Sequence, residues 1–185
     1  MKWNSHSELN GLHAFLSPSS YHWLNYDREK LESVYQNFKA KEEGVWLHTF
    51  ASMAITKRIK LAKNKNTLNM FVNDAIGFGM KSEQILYYSP NAFGTTDAIS
   101  FKQNVLRISD YKSGESKASF KQLDVYAAFF CLEYGINPEE ITIILRLYQN
   151  NEIDESTPEG SYIRNVMNIV IDNDMVIESL KTNTF

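Results

Sequence analysis

Residues 94–114, GTTDAISFKQNVLRISDYKSG, carry two alternating apolar runs on either side of Gln103-Asn104, and this segment restricts the fold more tightly than any other. If Gln103 and Asn104 form a two-residue turn, the flanking strands pair antiparallel, with Ile99 opposite Ile108 and Phe101 opposite Leu106. A slip of one residue would turn Leu106 and Ile108 to the wrong face, so the apolar pattern fixes the register. The same register sets Asp97 opposite Asp110. One face of the hairpin is therefore apolar up to its end, where two carboxylates take over.

Directly opposed side chains have Cβ atoms about 4.5–5.5 Å apart, and like charges at that separation destabilise the pair. A divalent cation offsets the repulsion, because carboxylate oxygens are the ligands that Mg²⁺ or Mn²⁺ prefers. Lys112 lies two residues after Asp110 and shares its strand face, while Tyr111 points away. Two acids and an ammonium at one sheet edge suit phosphodiester hydrolysis. The metal would polarise a phosphoryl oxygen and acidify a bound water, and the lysine would position that water or offset phosphate charge. The plainer alternative is an exposed Asp110–Lys112 ion pair with Asp97 as an unrelated turn residue.

The rest of the chain supplies a frame for this edge. Ser17-Pro18 fits the start of a short helix, with Tyr21, Leu24 and Trp23 as its candidate buried face. Helical spacing of Leu47, Phe50, Ala51, Ala54, Ile55 and Ile59 predicts a second helical stretch over about 29–63, broken near Gly44. Short β-branched and aromatic runs predict strands at about 84–89, 95–102, 105–112 and 141–149. A helix over about 119–134 interrupts them and ends at Gly135, and a last helix starts at Thr157-Pro158-Glu159 and runs to about Leu180. The order predicts an α/β fold, a mixed sheet flanked by helices. A length of 185 residues suits a single domain over 1–185.

Composition narrows the chemistry. The single cysteine, Cys131, excludes an internal disulfide, a four-cysteine zinc site and a cysteine-held iron-sulfur cluster, so a metal would be held by oxygen and nitrogen. A formal net charge of -3 does not describe a polycation, and nucleic-acid binding would need a local patch. Lys57, Arg58, Lys60, Lys63 and Lys65 form such a tract, either a groove for a phosphate backbone or a solvated helix end. Arg146, among apolar neighbours on the last predicted strand, is a further candidate phosphate contact. No helix-turn-helix or zinc-finger pattern is present, so binding without sequence specificity is expected. No apolar run approaches the roughly 20 residues of a membrane span, and Met1–Asn10 lacks the pattern of a secretory signal, so a cytoplasmic location is expected.

Four separated motifs together resemble the PD-(D/E)XK nucleases, and within them the RecB-like exonuclease branch. Glu43-Gly44-Val45-Trp46-Leu47-His48 is similar to that branch's G-x-x-x-H helix motif, and Gly94-Thr95-Thr96-Asp97-Ala98 to its G-x-x-D strand. Asp110-Tyr111-Lys112 matches D-x-K, and Gln122-Leu123-Asp124-Val125-Tyr126 matches the Q-x-x-x-Y helix. The stretch from His13 to Asn25 also resembles the opening of a phage-associated group of this branch, although Tyr26-Asp27 stand where that group commonly has Cys-Pro. The matches span about residues 11–26, 43–55 and 94–134.

The resemblance implies a PD-(D/E)XK, restriction-endonuclease-like core and a Mg²⁺- or Mn²⁺-dependent deoxyribonuclease without an iron-sulfur cluster. Its expected activity is that of an exonuclease in phage or bacterial DNA recombination, replication or processing, in the host cytoplasm if phage-encoded. It further implies His48, Asp97, Asp110 and the backbone carbonyl of Tyr111 as metal ligands, with Lys112 as the catalytic lysine. Gln122 and Tyr126, one helical turn apart, would orient that lysine or touch DNA. On their residue types alone, His48 also fits a core histidine and Tyr126 a packing partner of Phe130. Glu42, Glu43 and Glu83 lie near the matched segments, but solvated helix faces or strand ends account for them, and they stand outside the catalytic set. A structure-specific or restriction-type endonuclease and a non-catalytic DNA-end-binding module remain as alternatives. A homo-oligomer and a helicase or recombination partner both stay open.

Overall fold

The computed structural model describes residues 14–114 and 116–182, so the expectations on residues 1–13, including the start of the resemblance at His13, lie outside the described residues. The chain divides into two compact units, 1–45 and 46–185, with the longest helix, α1 (Arg28–Thr56), running through the division.

In the first unit, Ser17 precedes a 3-10 helix, Pro18–Asn25, in extended backbone and places proline in the first turn, although its side chain makes no cap bond. The Trp23 indole nitrogen donates to Ser17 O at 3.0 Å. Tyr21 and Leu24 are exposed rather than buried. The unit's ring packing comes instead from Phe15, whose centroid lies 5.1 Å from Tyr35 and 5.3 Å from Phe38.

The second unit holds a five-stranded mixed sheet in the order β1 (Lys81–Ser89), β2 (Ala92–Lys102), β3 (Val105–Tyr111), β4 (Thr142–Gln149) and β5 (Glu152–Ser156). Neighbours run antiparallel except β3 and β4, which are parallel and joined by α3 (Lys121–Tyr134), as a parallel pair requires a crossover. Gly135 closes α3 with φ +62, a left-handed conformation that glycine adopts without steric cost. The protein is thus α/β, with helices packed on both faces of the sheet.

One cluster sits between the sheet and α3 with α4 (Gly160–Thr182): Leu86, Ile99, Leu106, Ile108, Leu145 and Leu147 meet Leu123, Ala127, Phe130 and Ile163. The other packs Ala98, Tyr111 and Tyr148 against Ala51, Ala54 and Ile55 of α1 and Phe71, Val72 and Ala75 of α2 (Thr67–Gly77). Among the described residues, no helix is long and apolar enough to cross a membrane.

Three features differ from the sequence reading. First, α1 passes through Gly44 unbroken and ends at Thr56, so Lys57–Lys65 follow the helix instead of forming its last turns. A lone glycine inside a helix costs only about 1 kcal/mol, which burial of Ala51, Ala54 and Ile55 offsets. Second, a further helix, α2, precedes the sheet; the Asn66 side chain caps it by accepting from the backbone N–H groups of Leu68 and Asn69. Third, β5 is joined to β4 by Asn150-Asn151, both at positive φ. Asparagine tolerates that conformation, which mirror-image hairpin turns demand.

Candidate metal centre

The hairpin builds the site. Gln103 and Asn104 have φ values of +51 and +58, the left-handed pair of a type I′ turn, and the ladder runs from Lys102↔Val105 through Phe101↔Leu106 and Ile99↔Ile108 to Ala98↔Ser109. Asp97 and Asp110 stand one position beyond that last pair. There the ladder changes character: a side-chain oxygen of Asp97, Oδ2, accepts from the Tyr111 backbone N–H at 2.8 Å.

The alternation of β2 also shifts phase at this point. Ile99 belongs to the cluster under α3, yet Gly94, of opposite parity, faces α3 as well, beneath the ring of Tyr126. Across from Asp97, in line with the pairs Ser82↔Ala98 and Gln84↔Thr96, lies Glu83 with φ +51. A non-glycine residue in the left-handed region inside a strand is strained, and such strain persists only where surrounding contacts enforce it.

His48 reaches this break from α1. Its Nδ1 lies 3.3 Å from Asp97 Oδ1, and its ring meets Tyr111 edge-on at 5.3 Å. Ligand atoms of His48, Glu83 and Asp97 all fall within 4.8 Å of one another, close enough to share a cation. Glu83 therefore joins the group from which the sequence reading had excluded it. Its place opposite Asp97 was readable from the strand register once β1 was extended to Lys81, whereas its backbone turn was not.

Asp110 is 3% exposed. Lys112 Nζ stands 2.9 Å from its Oδ2 as an ion-pair partner. Burial, and then the nearby Asp97 carboxylate, push the Asp110 carboxyl up to about 6 despite the lysine. Glu83 is raised by burial and then by Asp97. His48 is raised chiefly by its bond to Asp97, against the opposing effect of burial. The centre thus holds more carboxylate than its own cations neutralise. The imidazole nitrogen of His48 and the carboxylate oxygens of Glu83 and Asp97 make a donor set that fits Mg²⁺ or Mn²⁺.

The motif on α3 secures the lysine. Lys112 Nζ donates to Gln122 Oε1 at 2.9 Å, Gln122 Nε2 lies 3.4 Å from the Tyr126 hydroxyl, and that hydroxyl donates to Thr95 O at 2.7 Å. A Cβ on Gly94 would come within 2.9 Å of the Tyr126 ring, so the glycine leaves the seat that the tyrosine occupies. Gln122 and Tyr126 accordingly tie β2 and Lys112 to α3 as positioning residues.

The remaining candidates are placed differently. Tyr111 sits between Asp110 and Lys112, its ring buried against Phe71 at 5.9 Å. Lys57, Arg58, Lys60, Lys63 and Lys65 are all exposed. Their tract begins after Thr56, whose hydroxyl lies 3.1 Å from that of Ser82, the residue before Glu83. Arg146 is engaged in the fold: it pairs with Glu155 at 2.7 Å and Asp74 at 3.2 Å, and its guanidinium lies 5.0 Å from the Phe78 ring centroid.

Comparison with family models, curated proteins and solved structures finds no match. The site's geometry and the motif resemblance are what support a function for this chain.

Proposed function

We propose that this chain is a Mg²⁺- or Mn²⁺-dependent DNA nuclease built on a PD-(D/E)XK core, an exonuclease of phage or bacterial recombination, replication or DNA processing. The observation that carries metal-dependent hydrolysis is the group of His48, Glu83 and Asp97, whose ligand atoms lie within 4.8 Å of one another at a break in the sheet, near the buried Asp110 with its Lys112 partner. The PD-(D/E)XK core and exonuclease action are supported by the motif resemblance. His48, Glu83, Asp97 and Asp110 would hold the cation. Once bound, it would polarise the phosphoryl oxygen and lower the pKa of a bound water. Lys112, held between Asp110 and Gln122, presents an ammonium to the phosphate charge that grows during hydrolysis. The exposed tract from Lys57 to Lys65 offers the phosphate backbone a sequence-independent contact.

End-labelled linear DNA and covalently closed circles, incubated with Mn²⁺, Mg²⁺ or EDTA, test the proposal. Loss of linear DNA alone, blocked by EDTA, is the expected result. Cutting of circles would replace the exonuclease by an endonuclease, and DNA binding without cleavage in either metal would favour an end-binding module.

Proton release provides a second test. A ligating imidazole must be neutral and the carboxylates ionised, while Asp97 favours protonated His48 and burial favours protonated Asp110. Mn²⁺ affinity should therefore rise with pH through about 6 and above, with protons released on binding. Calorimetric titrations in two buffers of different ionisation enthalpy measure that release. An affinity unchanged between acid and neutral pH would remove these groups from the ligand set.

A further inference from the structure

The phase shift at Glu83 and Asp97 has a second result, on the half of the hairpin beyond the metal centre. Leu86 points into the α3 cluster and Gly94 lies beneath Tyr126, so their strand neighbours Ile85, Tyr87, Phe93 and Thr95 face the opposite way. Ile85 stands opposite Thr95, and Tyr87 opposite Phe93. These side chains form an uncharged surface: Ile85 is 56% exposed, Tyr87 47% and Phe93 60%. The rings of Tyr87 and Phe93 are near parallel, with centroids 6.3 Å apart and planes inclined by 27°. The surface starts two residues from Glu83 and Asp97. Tyr87 lies about 13 Å along the strand from Glu83, roughly the length of four stacked nucleotides.

We infer that Ile85, Tyr87 and Phe93 form a stacking platform for the unpaired bases of single-stranded DNA whose backbone crosses the metal centre. The inference rests on the nuclease reading, since a polynucleotide cleaved at Asp97 and Asp110 must continue over an adjoining surface. The occupant follows from chemistry and size. Exposed, near-parallel aromatic rings suit the faces of nucleobases, and stacking is independent of base identity. Three apolar side chains are far fewer than the 20–30 residues per side of a typical protein interface. In a duplex the base faces are already covered by neighbouring pairs, so the platform favours unpaired DNA.

Fluorescence anisotropy of labelled oligothymidylate and of an abasic strand of equal length, in Ca²⁺, separates base stacking from phosphate binding. The wild type should bind the base-bearing strand roughly tenfold or more tightly than the abasic one. Tyr87→Ala and Phe93→Ala should each shrink that preference several-fold while leaving abasic binding unchanged, and Phe93→Trp should preserve it. Equal affinity for the two strands, or alanine variants that keep the full preference, would overturn the platform. So would a dimer in sedimentation equilibrium that Phe93→Ala dissociates, since a second copy would then own this face. Parallel cleavage assays in Mn²⁺ keep the two readings apart. Cleavage without base preference overturns the platform alone, and base preference without cleavage overturns the nuclease alone.

Discussion

Asp110→Asn is expected to abolish cleavage and to make the metal-free protein more stable than the wild type. The carboxylate is 3% exposed and close to Asp97, and the Lys112 ammonium 2.9 Å from Oδ2 offsets its burial only in part. Its folded pKa is raised from 3.8 to about 6. A raised carboxyl contributes its stability in full below its unfolded value near 3.8 and loses it as pH rises through about 6. At neutral pH the ionised group is therefore a net burden. Asparagine keeps the shape and discards the charge; allowing for the lost Lys112 contact, the gain is on the order of 1–2 kcal/mol. That corresponds to roughly 2–8 °C in Tm for a chain of this size. Calorimetry in EDTA should show the gain at pH 7 and its loss near pH 4. Mn²⁺ should raise the melting temperature of the wild type much more than that of the variant. A variant less stable than the wild type at pH 7 would contradict the electrostatic account, and retained cleavage would remove Asp110 from the reaction.

Lys112→Ala should separate metal binding from chemistry. Lys112 spans Asp110 and Gln122, and none of the proposed ligand atoms belongs to it. Its loss should lower the cleavage rate by about 10²–10³ or more, the scale seen when one charge-stabilising group leaves an active site. Mn²⁺ should still bind. Single-turnover cleavage with saturating metal, beside a calorimetric titration of the same variant, measures both. Unimpaired cleavage would refute the catalytic assignment. A parallel loss of metal affinity would instead make the lysine a support for the ligands, and Gln122→Ala should then reproduce much of the defect.

The parts of this molecule that were legible from sequence depend on short-range rules. The register of 98–102 against 105–109 followed from the two-residue turn and alternation together, because a single-residue slip would expose Leu106 and Ile108, both fully buried; the expected Asp97–Asp110 pair falls just outside that ladder. Gly135 marked the end of α3 through the backbone conformation it permits. β1 and β2 each begin three residues earlier than the predicted strands, which places Glu83 within β1 instead of before it. The backbone turn of Glu83 was not legible, since it lies opposite the point where the pairing of β2 with β3 gives way to a bond from the Tyr111 N–H to the Asp97 side chain. Arg146 reads as a phosphate contact until α2 and β5 bring Asp74 and Glu155 to it. Those partners lie 72 residues away in one case and nine in the other, and α2 and β5 were absent from the predicted elements.

The seat of Tyr126 on Gly94 binds two distant positions into a single unit of inheritance. A methyl group at 94 would collide with the ring, and loss of the ring would release Thr95 O and Gln122 together. Neither position is free to drift alone: a bulkier residue at 94 becomes acceptable only after 126 has shrunk, by which time the tether to Lys112 has loosened. Descendants of this chain that retain the proposed chemistry should keep both residues, and those without it should be free to lose both.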